Sequence, residues 1–350
     1  MQTKPLYVFS LLTIVIFLLA AGSLFADMVT LKHIAEAEQD VSYVGLRLKT
    51  RSTSNGARTM EEVVIHKTAE NSYRKVVSIV GQQKSLAEEN RRERNRDDKN
   101  KDRERDERRR GREFRWERQR SQFSIKEIEL IAQNYDLELR HWGEKIAGHE
   151  TDLLIINPKH AGRPTKHIYF ARKNGVILRV EDLDAAGVLR NMFVYTRISF
   201  DLEDVEKKWK SSQKEIKPAP RRELPAISLA DAKKILKTKP IEPTYLPPGF
   251  QLQNTYKLQY GDRHPIRLKY TDGLLDFSVF ETTGKLSNRF DRERGTEIKI
   301  GDKTVRKYQS DPYHAFRWSS SGIHFYLLGP LPAAELQKVV ESIVNKTEQK

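Results

Sequence analysis

There is no cysteine anywhere in the 350 residues. That absence excludes a disulfide framework and a thiolate metal site, and it leaves no residue for a lipoprotein acyl anchor. Recognisable chemistry is missing as well. None of the nine histidines stands in an HExxH or HxH spacing, and no GxSxG elbow, P-loop or strand-borne GxGxxG occurs. Carboxylate pairs such as Asp182 and Asp184 fall at turns, where such groups accept backbone hydrogen bonds. The sequence therefore supports neither an enzyme nor a bound cofactor or metal. Acidic residues are in the minority: 48 Asp and Glu against 63 Lys and Arg give a net charge of +15.

One long uncharged stretch does occur, at the N-terminus. Lys4 is the only charge before Asp27, and Leu6–Ala21 is followed by the small residues of Gly22–Ala26. A basic start, an apolar middle and small residues near a cut describe a secretory signal peptide over residues 1–26. An uncleaved anchor is the alternative, since about 20 residues suffice to span a membrane. Either way the remaining chain lies outside the cytoplasmic membrane, in the periplasm. Nucleic acid then leaves the set of partners for the basic surface. Lipid head groups, lipopolysaccharide and acidic protein segments remain.

Strands dominate the next part. A helix is expected from Asp27 to about Asp40, with Met28, Leu31, Ile34 and Ala35 on its apolar stripe. Val44, Leu46 and Leu48 mark a first strand, with Thr59–Lys67 and Tyr73–Val80 as the second and third. After a helix opened by the Ser124–Glu127 capping box, Asn134–Phe200 alternates in the period-2 manner of a sheet with one buried face. Tight-turn dipeptides, Asn174-Gly175 and Ala186-Gly187, make its strands antiparallel neighbours. Between the two halves, Glu88–Arg120 holds 15 Lys or Arg and 11 Asp or Glu among 33 residues. Such a stretch buries too little to offset its ordering entropy. It reads as a charged insertion, solvated or used as an electrostatic arm, with Phe114 and Trp116 placed to re-dock it on the sheet.

Glu203–Pro225 is polar and carries Pro218, Pro220 and Pro225; it reads as a linker. A second domain over residues 226–350 opens with a short helix, Ser228–Leu236. It continues through hairpins at Asp272-Gly273, Gly301-Asp302 and Ser320–Gly322 and closes on a helix after Leu331-Pro332. The whole is α+β: residues 27–202 with the 88–120 insertion, a linker at 203–225, and a smaller, mainly antiparallel α/β domain. Aromatic and aliphatic residues are frequent on the first sheet. Tyr43, Tyr73, Tyr169, Phe170, Met192, Phe193 and Tyr195 are candidates for an apolar concavity that holds acyl chains or an apolar peptide, sites of that kind being mostly hydrophobic. Packing under the helices is the ordinary alternative.

An ordered series of segments resembles the RseB/MucB regulators of the envelope-stress sigma factor. The segments are Tyr43-Val44-Gly45, Ile146–Glu150 followed by Leu153–Pro158, and Ile168-Tyr169-Phe170 with Asn174-Gly175. They continue with Leu246-Pro247-Pro248-Gly249-Phe250, Tyr270–Leu274 with Phe277–Glu281, and Leu328–Pro332. The resemblance implies a half-open antiparallel β-barrel like the lipoprotein carriers LolA and LolB, plugged by helices, before the smaller domain. It implies a periplasmic negative regulator that binds the periplasmic domain of a membrane anti-sigma factor and shields it from proteolysis. A lipidic signal, lipopolysaccharide or lipoprotein acyl chains, would release it. A periplasmic lipid or lipoprotein carrier of the LolA type is the other expectation. The charged insertion departs from the family pattern.

Overall fold

The computed structural model describes residues 28–53, 56–84, 115–119, 121–216, 225–284, 295–310 and 312–348. The expected signal peptide and most of the charged insertion lie outside them. By contacts the chain divides into two units, Met1–Lys217 and Pro218–Lys350. Both are built of antiparallel strands with a few helices.

In the first unit, helix α1 covers residues 28–40. It is followed by β1 (Tyr43–Thr53), β2 (Gly56–His66) and β3 (Ser72–Lys84). A two-residue strand β4 (Glu117–Arg118) and helix α2 (Ile128–Asn134) come next. Then run β5 (Tyr135–Arg140), β6 (Lys145–Ile146), β7 (His149–Pro158), β8 (Thr165–Ala171), β9 (Ile177–Leu183) and β10 (Leu189–Ser199). The ten strands form one sheet in the order β4-β3-β2-β1-β10-β9-β8-β7-β5, with β6 paired to β7. Among the described residues its two ends do not pair, so no closed barrel forms. Nor, among them, is any helix long and apolar enough to cross a membrane.

One expectation needs correction. The segment read as the start of a linker instead folds as helix α3, Leu202–Ser212. Asp201 caps it by accepting from the Glu203 N–H at 2.8 Å, the arrangement that satisfies an orphan amide at a helix start. Helix α3 lies against β1 and β2: Trp209 packs on Tyr73 with ring centroids 5.9 Å apart, and Glu206 pairs with Lys67. The end of the charged stretch is part of the fold too. Glu117 and Arg118 pair with Arg74 and Tyr73 on β3, and the Lys75 ammonium sits 5.9 Å from the Trp116 ring.

These helices settle which face of β1 is inward. On β1 the buried residues are Tyr43, Gly45 and Arg47. Val44, Leu46 and Leu48 have the opposite parity and are half-buried. Helix α1 covers the other side. A Cβ placed on Gly175, in the β8–β9 turn at φ +75°, would stand 2.9 Å from His33 Nε2 and 3.0 Å from Ala37 Cβ of α1. Leu31, Ile34, Ile131, Leu154, Ile156 and Ile168 are wholly buried.

The second unit is an eight-stranded sheet flanked by two helices. Its elements are β11 (Ala226–Ile227), α4 (Leu229–Leu236), β12 (Gln251–Lys257), β13 (Ile266–Thr271) and β14 (Asp276–Thr282). They continue with β15 (Thr296–Ile300), β16 (Lys303–Ser310), β17 (Tyr313–Ser320), β18 (Ile323–Gly329) and α5 (Ala333–Glu348). The order β11-β12-β13-β14-β18-β17-β16-β15 is antiparallel throughout. Ser228 caps α4 by accepting from the Asp231 N–H at 3.0 Å. Leu336, Val339, Val340 and Ile343 of α5 close the core over Leu268, Phe277, Val279, Phe316 and Leu327, the spacing of one helical face.

Candidate binding site

The seven candidate residues divide between the two faces of the first sheet. Tyr43, Phe193 and Tyr195 come together: the Tyr43 and Tyr195 rings are 5.8 Å apart, and those of Phe193 and Tyr195 are 6.0 Å apart. Phe170 is buried near the end of β8, ahead of the turn whose Gly175 approaches α1. Tyr73 stands against α3 instead. Met192 has the parity opposite to Phe193 and is half-buried. Tyr169 joins a separate patch with Leu153, Ile155 and Ile146. There the Trp142 ring, 41% exposed, meets Tyr169 edge-on at 5.7 Å, and the Arg179 guanidinium lies 4.9 Å over Tyr169.

A group of charges lies beneath the aromatic trio. Arg47 faces Glu62 across β1 and β2. Its Nε and Nη2 donate to Glu62 Oε2 at 2.9 and 2.7 Å, and Nη2 also donates to Gln119 Oε1 at 2.9 Å. The Arg47 guanidinium lies 4.6 Å over the Phe193 ring. Arg74 on β3 donates to the other Glu62 oxygen and, through Nη2, to Glu117 at 2.8 Å. Burial opposes the charge on Glu62, but Arg47, Lys49 and Arg74 hold its pKa below the usual range. His66 stacks on Tyr43 at 5.0 Å and shares a 2.9 Å hydrogen bond with Ser72; burial pushes its pKa down to about 4.

Above this group opens a cavity of about 390 Å³ lined by Arg47, Lys49, Arg74, Glu117, Arg118, Gln119, Gln122 and Phe193. Burial, together with the charges of Arg74, Arg47 and Arg51, lowers the Lys49 pKa to about 8, against the pull of Glu62. At its inner side the backbone N–H of Gln122 donates to Glu38 of α1 at 2.9 Å. Burial raises the Glu38 carboxyl to about 7, although Gln122, Lys166 and Arg47 act to lower it. The cavity is cationic and polar with one aromatic wall, unlike the apolar concavity expected. Among the described residues no group of three or more His, Asp or Glu is placed to hold a metal ion.

These cations escape sequence reasoning because each lies at an ordinary strand position, and Arg47 and Gln119 are 72 residues apart. One signal was present. Arg47 and Lys49 share the parity of Tyr43 and Gly45, so an alternating strand carries two cations on one face.

Comparison with known proteins gives two family matches. The MucB/RseB N-terminal domain matches residues 27–220, and a domain of unknown function, DUF4367, matches residues 240–343. Among solved structures the chain is similar to MucB in complex with MucA(peri), at 18% identity over 89% of this chain and 96% of that one, with a TM-score of 0.48. It is also similar to the Pseudomonas aeruginosa MucA/MucB complex, at 16% identity over 91% and 98%, with a TM-score of 0.49. No curated protein matches it.

Proposed function

The chain belongs to the MucB/RseB family, and from that premise we propose that it is a periplasmic regulator that binds the periplasmic domain of a membrane anti-sigma factor. The observation that carries this reading is the family match over residues 27–220, which takes in every element of the first sheet. Both solved complexes named above are of MucB with MucA. Bound, the protein shields its partner from proteolysis. The half-open LolA-like barrel is retained as the reading of the first sheet, its strands being antiparallel and its ends unpaired among the described residues. The first domain is proposed to run from residue 27 through helix α3 and the second over residues 226–350, each with its own sheet. Export by the residue 1–26 signal supplies the compartment. The role asks for surfaces and no chemistry.

A lipidic signal, lipopolysaccharide or the acyl chains of a lipoprotein, releases the partner. Support comes from the small apolar cluster of Leu153, Ile155 and Tyr169, buried under half-buried Ile146 and under Trp142, which is 41% exposed; an exposed aromatic lying over an apolar cluster is the kind of cover that an acyl chain can replace. Two measurements test these readings. The mature chain is expected to pull down the periplasmic segment of a single-span anti-sigma protein from envelope extract, and failure by folded protein would sink the regulator. Tyr169→Glu is expected to abolish binding of a fluorescent acyl probe, whereas unchanged binding removes the lipid site.

A further inference from the structure

The cavity over Arg47 holds more positive charge than its carboxylates neutralise. Arg47, Lys49, Arg74 and Arg118 stand against Glu62 and Glu117. The partners of Arg47 and Arg74 are accounted for: Glu62 takes both guanidinium groups and Glu117 takes Arg74. Among the described residues the Lys49 ammonium makes no hydrogen bond or close ion pair, and Glu62 acts on it only through the longer reach of its charge. Among the described residues Arg118 donates only to a backbone oxygen, that of Glu70. Among the described residues, therefore, two cations face one cavity with no carboxylate in hydrogen-bonding contact. The low Lys49 pKa reports the same excess, because burial and neighbouring positive charge both disfavour its ammonium.

We propose that this cavity takes a side-chain carboxylate of an acidic, extended peptide segment, held by Lys49 Nζ and the Arg118 guanidinium against the Phe193 ring. The proposal deepens the reading of the protein as a partner-binding regulator by naming one contact. A carboxylate suits the site because it brings one charge and two acceptor oxygens to two cationic groups that no carboxylate contacts among the described residues. A phosphate monoester brings a charge near −2 and three oxygens, and would meet the Glu117 and Glu62 carboxylates with only those two donors to hold it. An extended peptide suits the surroundings. Strand β4 pairs only with Tyr73 and Arg74, so among the described residues β3 from Lys75 onward makes no ladder pair on its outer edge. Val77, Ile79 and Val80 are exposed there. A free strand edge beside a side-chain pocket is the arrangement by which sheets accept added strands.

The test titrates purified mature chain, residues 27–350, with fluorescein-labelled hexaglutamate followed by anisotropy at low salt. Hexaglutamine and inorganic phosphate serve as the other arms. Hexaglutamate is expected to bind and hexaglutamine not to. Lys49→Met is expected to weaken binding at least tenfold, Lys49→Arg to restore most of it, and Lys234→Met on α4 to change nothing. Lys234 belongs to the other unit and controls for non-specific attraction by the basic surface. Lys49 itself gives a readout independent of the variants' folding: the NMR titration of its side-chain Cε should move up toward the ordinary lysine value when hexaglutamate saturates. Binding by Lys49→Met within twofold of wild type, or an unmoved Lys49 titration at saturation, overturns the proposal. So does phosphate displacing the peptide at a lower concentration than acetate does, which would assign the cavity to a phosphorylated head group. Because no anti-sigma segment is present, failure here overturns the pocket alone; the pull-down decides the regulator separately.

Discussion

Arg47 and Glu62 face each other on adjacent strands, joined by two hydrogen bonds at 2.9 and 2.7 Å, with side chains 3% and 0% exposed. Removing one member of such a pair leaves the other buried without compensation, at a cost of about 3–5 kcal/mol. Glu62→Ala is therefore expected to lower the unfolding free energy of the first unit, read from urea denaturation, by that amount. Replacing both, Arg47→Met with Glu62→Leu, should recover most of the loss, since Arg74 reaches solvent. A double variant no more stable than Glu62→Ala would show that the pair is itself a net stabiliser.

Gly175 holds α1 close to the sheet. Gly175→Ala meets both the strain of φ +75° and the 2.9–3.0 Å approach of His33 and Ala37. Overpacking of this kind costs about 1–3 kcal/mol, and strain adds to it. Amide exchange in residues 28–40 should accelerate more than in the β1–β10 ladder. Uniform acceleration across the unit would argue against a local effect.

Glu38 makes stability fall as pH rises. Its folded pKa, about 7, lies above the ordinary 4.5, so between those values the folded state holds a proton that the unfolded state has lost. The stabilisation is complete below pH 4.5 and is lost as pH passes through about 7, an effect on the order of 2–3 kcal/mol. Glu38→Gln keeps an acceptor for the Gln122 amide and should be more stable than wild type at pH 8 but not at pH 4.5. Parallel pH profiles for the two proteins would remove Glu38 as the cause.

His66 acts in the opposite sense at lower pH. Burial depresses its pKa from 6.5 to about 4, so the unfolded state takes up a proton first as the solution is acidified. Its contribution is intact above pH 6.5 and lost as pH falls through about 4. His66→Gln should flatten stability between pH 6.5 and 4, and the wild-type His66 ring should remain neutral by NMR at pH 5.

Strand positions were legible because alternation and the Asn174-Gly175 and Asp272-Gly273 turns are local signals. The second turn forms as its residues suggest, with Asp272 Oδ1 accepting from the Leu274 and Leu275 amides at 3.0 and 2.8 Å. Facing was less legible. Val44, Leu46 and Leu48 look like a core stripe, but burial is decided by what covers each side, and α3 comes from a polar stretch some 160 residues later. Its contacts, Trp209 on Tyr73 and Glu206 with Lys67, leave only a weak apolar signature. The candidate aromatics were found individually and misgrouped for the same reason. Which face Tyr169 or Tyr73 occupies depends on register. The cation cavity needs strands from three parts of the chain.

The centre of the first sheet is the pairing of β1 with β10, joining Val44 to Ser199. All other pairings in that sheet are between strands closer in sequence. A chain emerging from its N-terminus can zip the β1–β3 and β5–β10 ladders as they appear, but the seam between them waits until residue 199 is available. Loop-closure entropy makes so distant a contact slow to form. The aromatic trio and the Arg47–Phe193 contact straddle that seam, so the aromatic wall of the cavity exists only once the two ladders have joined.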